Sequence, residues 1–179
     1  MKLKTSIILC AVTMATGAPA FAASAFDLYS GILFGVGAET TFIGNASDTR
    51  SAQSFGAVFG IDLPAFRIDA EYNYLNSSDS HASVAFVNAY FKMPSTVIHP
   101  YAGVGVGIEF AGKNDKHNFD FDAAAAYQGI FGVTIETPAL PLKFDVEGRA
   151  VYIPDIAKFN GQYPDLLHYD ARIKIRYMF

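Results

Sequence analysis

The sequence predicts an all-β chain, an eight-stranded antiparallel up-and-down transmembrane β-barrel preceded by an export signal. Three observations predict it. The final run alternates strictly, with Tyr169, Ala171, Ile173, Ile175, Tyr177 and Phe179 interleaved with His168, Asp170, Arg172, Lys174, Arg176 and Met178. A period of two puts the first set on one face of a strand and the charges on the other. Seven further segments alternate in the same way, and the links between them are alternately short and proline-bearing or polar. Finally, no stretch of the mature chain supplies the ~20 apolar residues of a membrane helix. Lipid can then be crossed only by a closed barrel, in which every backbone polar group finds a partner.

The start of the chain reads as a leader. Lys2 and Lys4 precede the apolar stretch Ser6 to Thr16, and the small-residue site Ala20-Phe21-Ala22 follows. This is the pattern of a secretory signal peptide, residues 1–22, cleaved after Ala22. Ala23-Ser24-Ala25 is a second possible site. Residues 23–179 then form one barrel domain. Cys10 is the only cysteine and lies inside the apolar stretch, where a lipoprotein cysteine would follow it. The mature chain therefore has no disulfide. Loss of Lys2 and Lys4 leaves 11 Lys and Arg against 17 Asp and Glu, near −6, which argues against nucleic acid as a partner.

The first predicted strand is Asp27 to Glu39, with Leu28, Ile32, Phe34 and Val36 on its apolar face and a glycine-rich opposite face. Gln53 to Asp62 sets Phe55, Ala57, Phe59 and Ile61 against Ser54, Gly56, Val58, Gly60 and Asp62. Phe66 to Leu75 is the cleanest: Phe66, Ile68, Ala70, Tyr72 and Tyr74 alternate with Arg67, Asp69, Glu71 and Asn73. Ala82 to Lys92 is ambiguous. Ala85, Val87, Ala89 and Phe91 outward leave Phe86 and Tyr90 inward, and a reversed register or a bulge is the alternative.

Pro100 to Ala111 sets Ala102, Val104, Val106, Ile108 and Phe110 against Tyr101, Gly103, Gly105, Gly107 and Glu109. The three glycines leave room for bulky side chains from neighbouring strands. Phe121 to Glu136 sets Tyr127, Phe131, Val133 and Ile135 against Asp122, Gln128, Thr134 and Glu136. Its Ala123 to Ala126 run also reads as helix, but the flanks alternate and favour strand. Leu142 to Ile153 sets Leu142, Phe144, Val146, Ala150 and Tyr152 against Lys143, Asp145, Glu147 and Arg149. The run ending at Phe179 is the eighth strand.

Leu63-Pro64-Ala65, Met93 to His99 and Thr137 to Pro141 are the proline-bearing links. Thr40 to Ala52, Asn76 to His81, Gly112 to Asp120 and Pro154 to Leu167 are polar segments, three of them long. Short turns at one end and longer loops at the other are the plan of an outer-membrane barrel. A soluble lipocalin-like barrel alternates too, but with its apolar face inside. Acidic and basic residues mixed on one face, aromatics near strand ends and the terminal Phe179 favour the membrane form. Tyrosine and phenylalanine fill the interfacial girdle in the absence of tryptophan.

The stretch His99-Pro100-Tyr101-Ala102-Gly103-Val104-Gly105-Val106-Gly107-Ile108-Glu109-Phe110 resembles the P-Y-x-G-x-G-x-G signature strand of small outer-membrane β-barrel proteins. This is the OmpA-like and Opa-like, porin-family group that includes many surface antigens. Asn88-Ala89-Tyr90-Phe91 is similar to the N-x-Y-Y segment before it, and Glu147-x-Arg149 and the C-terminal aromatic match as well. The resemblance covers Ala25 to Phe179 and implies an outer-membrane location without the periplasmic peptidoglycan-binding domain of full-length OmpA proteins. It also implies that Ile173, Ile175, Tyr177 and Phe179 are read by the barrel assembly machinery during biogenesis. The same residues would in any case face lipid.

The polar constellation is a set of twelve inward charges: Arg67, Asp69, Glu71, Glu109, Lys143, Asp145, Glu147, Arg149, Asp170, Arg172, Lys174 and Arg176. A charge in a narrow interior is unfavourable unless paired, and an eight-stranded barrel is just wide enough to be filled by side chains. A side-chain-filled lumen is therefore expected, with a small gated ion path as the alternative. The histidines His81, His99, His117 and His168 are scattered, and none is placed as the orienting base of a nucleophile. Lys113 to Asn118 with Asp120 and Asp122 lacks the glycine and glutamate spacing of a calcium loop. No catalytic residue, cofactor or metal is expected. The expected role is structural and surface-exposed, with loops for an envelope or host ligand. A porin-like channel is the alternative, and a lipid-modifying enzyme is weaker still.

Overall fold

The computed structural model describes residues 26–43, 46–78, 80–93, 98–114, 119–120, 123–137, 140–156 and 163–179. Its strands are β1 (Asp27–Ile43), β2 (Ala46–Asp62), β3 (Phe66–Ser77), β4 (Ser80–Lys92), β5 (Ile98–Asn114), β6 (Phe119–Asp120), β7 (Ala124–Glu136), β8 (Leu142–Ile153) and β9 (Asp165–Met178). The eight long strands follow one another as antiparallel neighbours, in the order β4-β3-β2-β1-β9-β8-β7-β5, and β4 pairs with β5 to close the ring. β6 is a two-residue addition paired to the end of β5, with Lys113 opposite Asp120. The leader, with Ala20 and Ala22, lies outside the described residues.

The exterior is apolar and the interior charged. Ile32, Val104 and Phe131 are 65%, 68% and 70% exposed, while Arg67 and Arg176 are 0% exposed. A soluble barrel would reverse these two faces; apolar side chains open to this degree all round a closed wall require lipid as their solvent. Aromatics collect at both margins of the band. Phe66 and Phe91 meet edge-on at 5.6 Å near one end, and Phe55 and Tyr74 lie 5.1 Å apart near the other.

The alternation fixes faces but not strand lengths, and the longest strands differ from expectation. β1 runs four residues past Glu39, to Ile43, and β2 begins at Ala46 rather than Gln53, so most of the Thr40 to Ala52 loop is hairpin. The outward residues there are Thr49, Ser51 and Gln53, which give no apolar period to read, yet the backbone ladder continues without one. For the same reason β5 reaches Asn114, β3 and β4 extend to Ser77 and Ser80, and β9 starts at Asp165. β7 begins at Ala124, three residues after its expected start, and Phe121 and Asp122 lie outside the described residues. Ala124 to Ala126 are strand.

β4 keeps one register throughout. Val87, Ala89 and Phe91 face out, and Phe86 and Tyr90 are each 2% exposed. The irregularity falls on the partner strand. Ser83 pairs with Ala111 and Val84 with Glu109, which leaves Phe110 as the extra residue of a β5 bulge. The inward glycines explain how Phe86 and Tyr90 fit. Tyr90, Asn88 and Phe86 stand opposite Gly103, Gly105 and Gly107, and a Cβ at any of the three would collide with them.

Candidate functional site: the charged lumen

The inward side chains form layers along the barrel axis. At the end carrying the short turns, Asp62 collects three cations. Arg176 Nη1 is 3.1 Å and Lys143 Nζ 3.2 Å from its carboxylate, and Lys92 also donates to it. Lys143 bridges on to Glu136 at 2.8 Å, with His99 Nε2 3.7 Å from the same carboxylate.

The next layer centres on Asp145 and Arg67. Arg176 grips Asp145 through Nε at 2.7 Å and Nη2 at 2.9 Å, Thr134 donates at 2.6 Å, and Arg67 Nη1 lies at 3.2 Å. Arg67 is also sandwiched between aromatic rings, its Cζ 3.9 Å from the Tyr90 centroid and 4.5 Å from that of Tyr101. Ring faces attract a desolvated guanidinium. The tyrosine hydroxyls then serve the acids: Tyr101 donates to Glu147 at 2.6 Å and Tyr29 to Asp69 at 2.6 Å.

At mid-barrel, Arg172 and Lys174 share two carboxylates. Arg172 donates from Nη1 to Glu71 at 2.6 Å and from Nη2 at 3.2 Å, and its Nε donates to Glu147. Lys174 Nζ is 3.0 Å from Glu147 and 3.2 Å from Glu71. The layer above is built on Asp170, held bidentately by Arg149 at 3.0 and 2.6 Å. Ser54 also donates to Asp170, at 2.5 Å, and His168 Nε2 sits 3.1 Å from it. Asn88 and Gln128 link these layers, with Asn88 donating to Asp69 at 2.8 Å and Gln128 to Asn88 at 2.6 Å. Bonds of this kind between ionised partners are roughly twice as strong as neutral ones.

Eleven of the twelve inward charges named from the sequence thus meet in these layers. Glu109 is buried farther toward the loop end, opposite Val84. The interior also holds residues the alternation did not single out as partners. Asp62 and Lys92 close strands, Tyr29, Tyr90 and Tyr101 are aromatics on faces opposite the apolar rows, and His168 stands on the polar face of the last strand. The signal that could have found them is parity: each falls on the inward count of its strand. Their partners lie on distant strands, which parity cannot name.

The lumen is not polar throughout. Toward the loop end Leu75, Ala82, Val84, Phe86, Ala126, Val151, Ile153, Ile156 and Leu166 form a buried apolar cluster. Ile156 reaches it from the segment after β8. Asp155 before it takes a left-handed backbone (φ 51°), and the Asp165 carboxylate accepts from the Asp155 amide at 3.1 Å and the Tyr152 hydroxyl at 2.9 Å. At the same end Glu39 accepts from Ser77 at 3.2 Å and also from Ser80.

Ile173, Ile175, Tyr177 and Phe179 are 55%, 38%, 40% and 55% exposed on the outer face of β9, and the Phe179 amide donates to Leu28 O at 2.9 Å. His81 stacks on Tyr74, while Asp79 and His117 lie outside the described residues. Ser54 is bonded to Asp170 rather than to His168, so these three residues do not form a nucleophile–base pair. Among the described residues no group of His, Cys, Asp and Glu is arranged to hold a metal.

No protein-family model matches the chain, and no curated protein sequence matches it. Solved structures do. The chain is similar to Neisserial surface protein A (15% identity, TM-score 0.57, 85% of this chain and 97% of that one). It also matches Ail, the attachment invasion locus protein of Yersinia pestis, solved with the heparin analogue sucrose octasulfate (10% identity, TM-score 0.47, 84% and 99%). A third match is the outer membrane protein OprG from Pseudomonas aeruginosa (10%, TM-score 0.39, 86% and 95%). With its apolar wall, its charged interior and its likeness to Neisserial surface protein A, this chain has the fold of a small, eight-stranded outer-membrane β-barrel.

Proposed function

We propose that the protein is a surface-exposed outer-membrane anchor. Residues 1–22 export it, with cleavage after Ala22, and the barrel assembly machinery inserts it by reading Ile173, Ile175, Tyr177 and Phe179. The barrel then holds its longer connections on the cell surface, for an envelope or host ligand, and performs no catalysis. The short turns face the periplasm and the long strands project outward.

The observation that carries this reading is the cross-lumen ion pairing. Arg172, Glu71, Glu147 and Lys174 come from three different strands, meet at 2.6–3.2 Å and are buried from solvent. A water-filled pore would leave such groups solvated. Strand length supports the rest. A tilted transmembrane strand needs about 9–11 residues, so the 17 residues of β1 and of β2 exceed the bilayer by about six. Planar-bilayer recording of the refolded barrel tests the filled lumen: no steady conductance is expected, and reproducible unitary steps would favour a porin-like channel instead. Protease treatment of intact cells tests the display, with cleavage expected in Pro154 to Leu167.

A further inference from the structure

The hairpin of β1 and β2 leaves one edge open. β2 pairs with β1 over its whole length, to Ala46 opposite Ile43, but with β3 only from Ala52, opposite Ser77. Among the described strands, the backbone of Ala46–Arg50 is laddered on the β1 side alone. Two printed bonds fix which groups point to the open side. Leu28 O is bonded on the β9 side of β1, and Leu63 N bonds Phe66 O across the β2–β3 turn. Antiparallel ladders alternate, so even-numbered β2 residues bond β1 and odd-numbered ones face β3. The pair Ala52–Ser77 then stands between bonded pairs and Ser51 faces Ser78, so the N–H and C=O groups that aim into the space above the end of β3 are those of Ser47 and Thr49.

We propose that this edge is a docking strand for an extended, uncharged polar segment of another protein, added antiparallel to β2 along the line β3 vacates. The inference rests on the surface display proposed above. Unpaired backbone groups in a row are matched best by another extended backbone. Natural edges are blunted by proline, a bulge or charge; Ala46–Arg50 has no proline, lysine or bulge, its register with β1 is unbroken, and its charges, Asp48 and Arg50, lie on the row opposite the exposed Ser47 and Thr49. Its two charges are of opposite sign and in contact, Arg50 lying 2.5 Å from Asp48. The outward row beside them is Ser47, Thr49 and Ser51, hydroxyls that select no charge. At the foot of the edge, where β2 outruns β3, a cleft of about 370 Å³ is lined by Val36, Ser51, Gln53, Asn76 and Ser78, and can seat one side chain of the incoming strand. A second copy fits less well. In the same membrane its β2 would run in the same direction, and the antiparallel register could not form.

The test uses the full barrel in lipid nanodiscs, panned with a phage-displayed library of linear heptapeptides. Enriched peptides are expected to bind Thr49→Pro at least tenfold more weakly than the native barrel. Proline at 49 removes an amide that faces the open edge and leaves the β1 ladder intact, and unchanged heat-modifiability confirms that the variant is folded. N-methylation of alternate peptide residues should abolish binding, and methylation of the intervening ones should not. No enriched peptide, or peptides that bind Thr49→Pro equally well, would overturn the proposal. Labelling of Thr49→Cys on intact cells by an impermeant maleimide reads the display itself. A labelled cysteine without peptide binding refutes the docking edge alone, whereas an unlabelled one refutes surface display.

Discussion

Replacing Arg172 by methionine probes whether the lumen is packed or wet. Arg172 is 2% exposed and holds Glu71 through two bonds, at 2.6 and 3.2 Å, and Glu147 through a third. Methionine keeps the stem volume and removes the charge. Glu71 would retain Lys174 at 3.2 Å and Arg149 at 3.6 Å, and Glu147 would retain Lys174 at 3.0 Å and the Tyr101 hydroxyl at 2.6 Å. Three charge-assisted bonds of ~1.5–3 kcal/mol each set the gross loss, and the remaining cations offset part of it. Removing one partner of a buried pair leaves about 3–5 kcal/mol, a shift of roughly two to three and a half decades in the unfolding constant. Reversible denaturant unfolding in detergent micelles or liposomes, followed by tryptic protection or tyrosine fluorescence, reads it. Glu147→Gln combined with Arg172→Met should recover part of the loss. A single-variant loss below about 1 kcal/mol is the behaviour of a solvated pair, and would refute a dry, packed interior.

Three further outcomes follow from the geometry. Gly105→Val should lower stability by about 1–3 kcal/mol, measured in the same unfolding assay, because its Cβ collides with the Asn88 amide that ties Asp69 to Gln128. Ile156→Ser should open the apolar cluster at a cost of about 2–4 kcal/mol, seen as faster proteolysis of the β8–β9 connection in a barrel whose heat-modifiability is unchanged. Deletion of Phe179 should reduce the yield of heat-modifiable barrel in membranes while export across the inner membrane continues; an unchanged yield would remove the assembly role.

The faces of the strands were legible because a period of two is a local property. Phe66, Ile68 and Ala70 against Arg67, Asp69 and Glu71 announce the inside and outside of β3 without any knowledge of its neighbours. The pairing of charges was not legible. Arg67 meets Asp145 and Lys174 meets Glu71 across gaps of 78 and 103 residues, and those meetings depend on shear and side-chain reach rather than on any local pattern. The β1–β2 hairpin was misjudged as a loop because its polar outward row looks like loop composition. The apolar cluster was hidden for the opposite reason: Leu75, Val84 and Val151 are apolar residues on inward positions, and alternation treats such positions as exceptions.

Closure of the ring by β1 and β9 has a kinetic consequence. Tyr29 pairs with Met178 and Asp27 with Asp62, so the first strand must wait for the last before its second side is satisfied. The Glu71 contacts to Arg172 and Lys174 join β3 to β9 and cannot exist in a partial chain. Contacts of such long sequence separation make folding slow. During that interval Asp62 and Glu71 lack their β9 cations, Arg176, Arg172 and Lys174, and stand along an open sheet next to a wall that favours lipid. Time spent half-built, rather than the stability of the finished barrel, is then the hazard in the life of this chain.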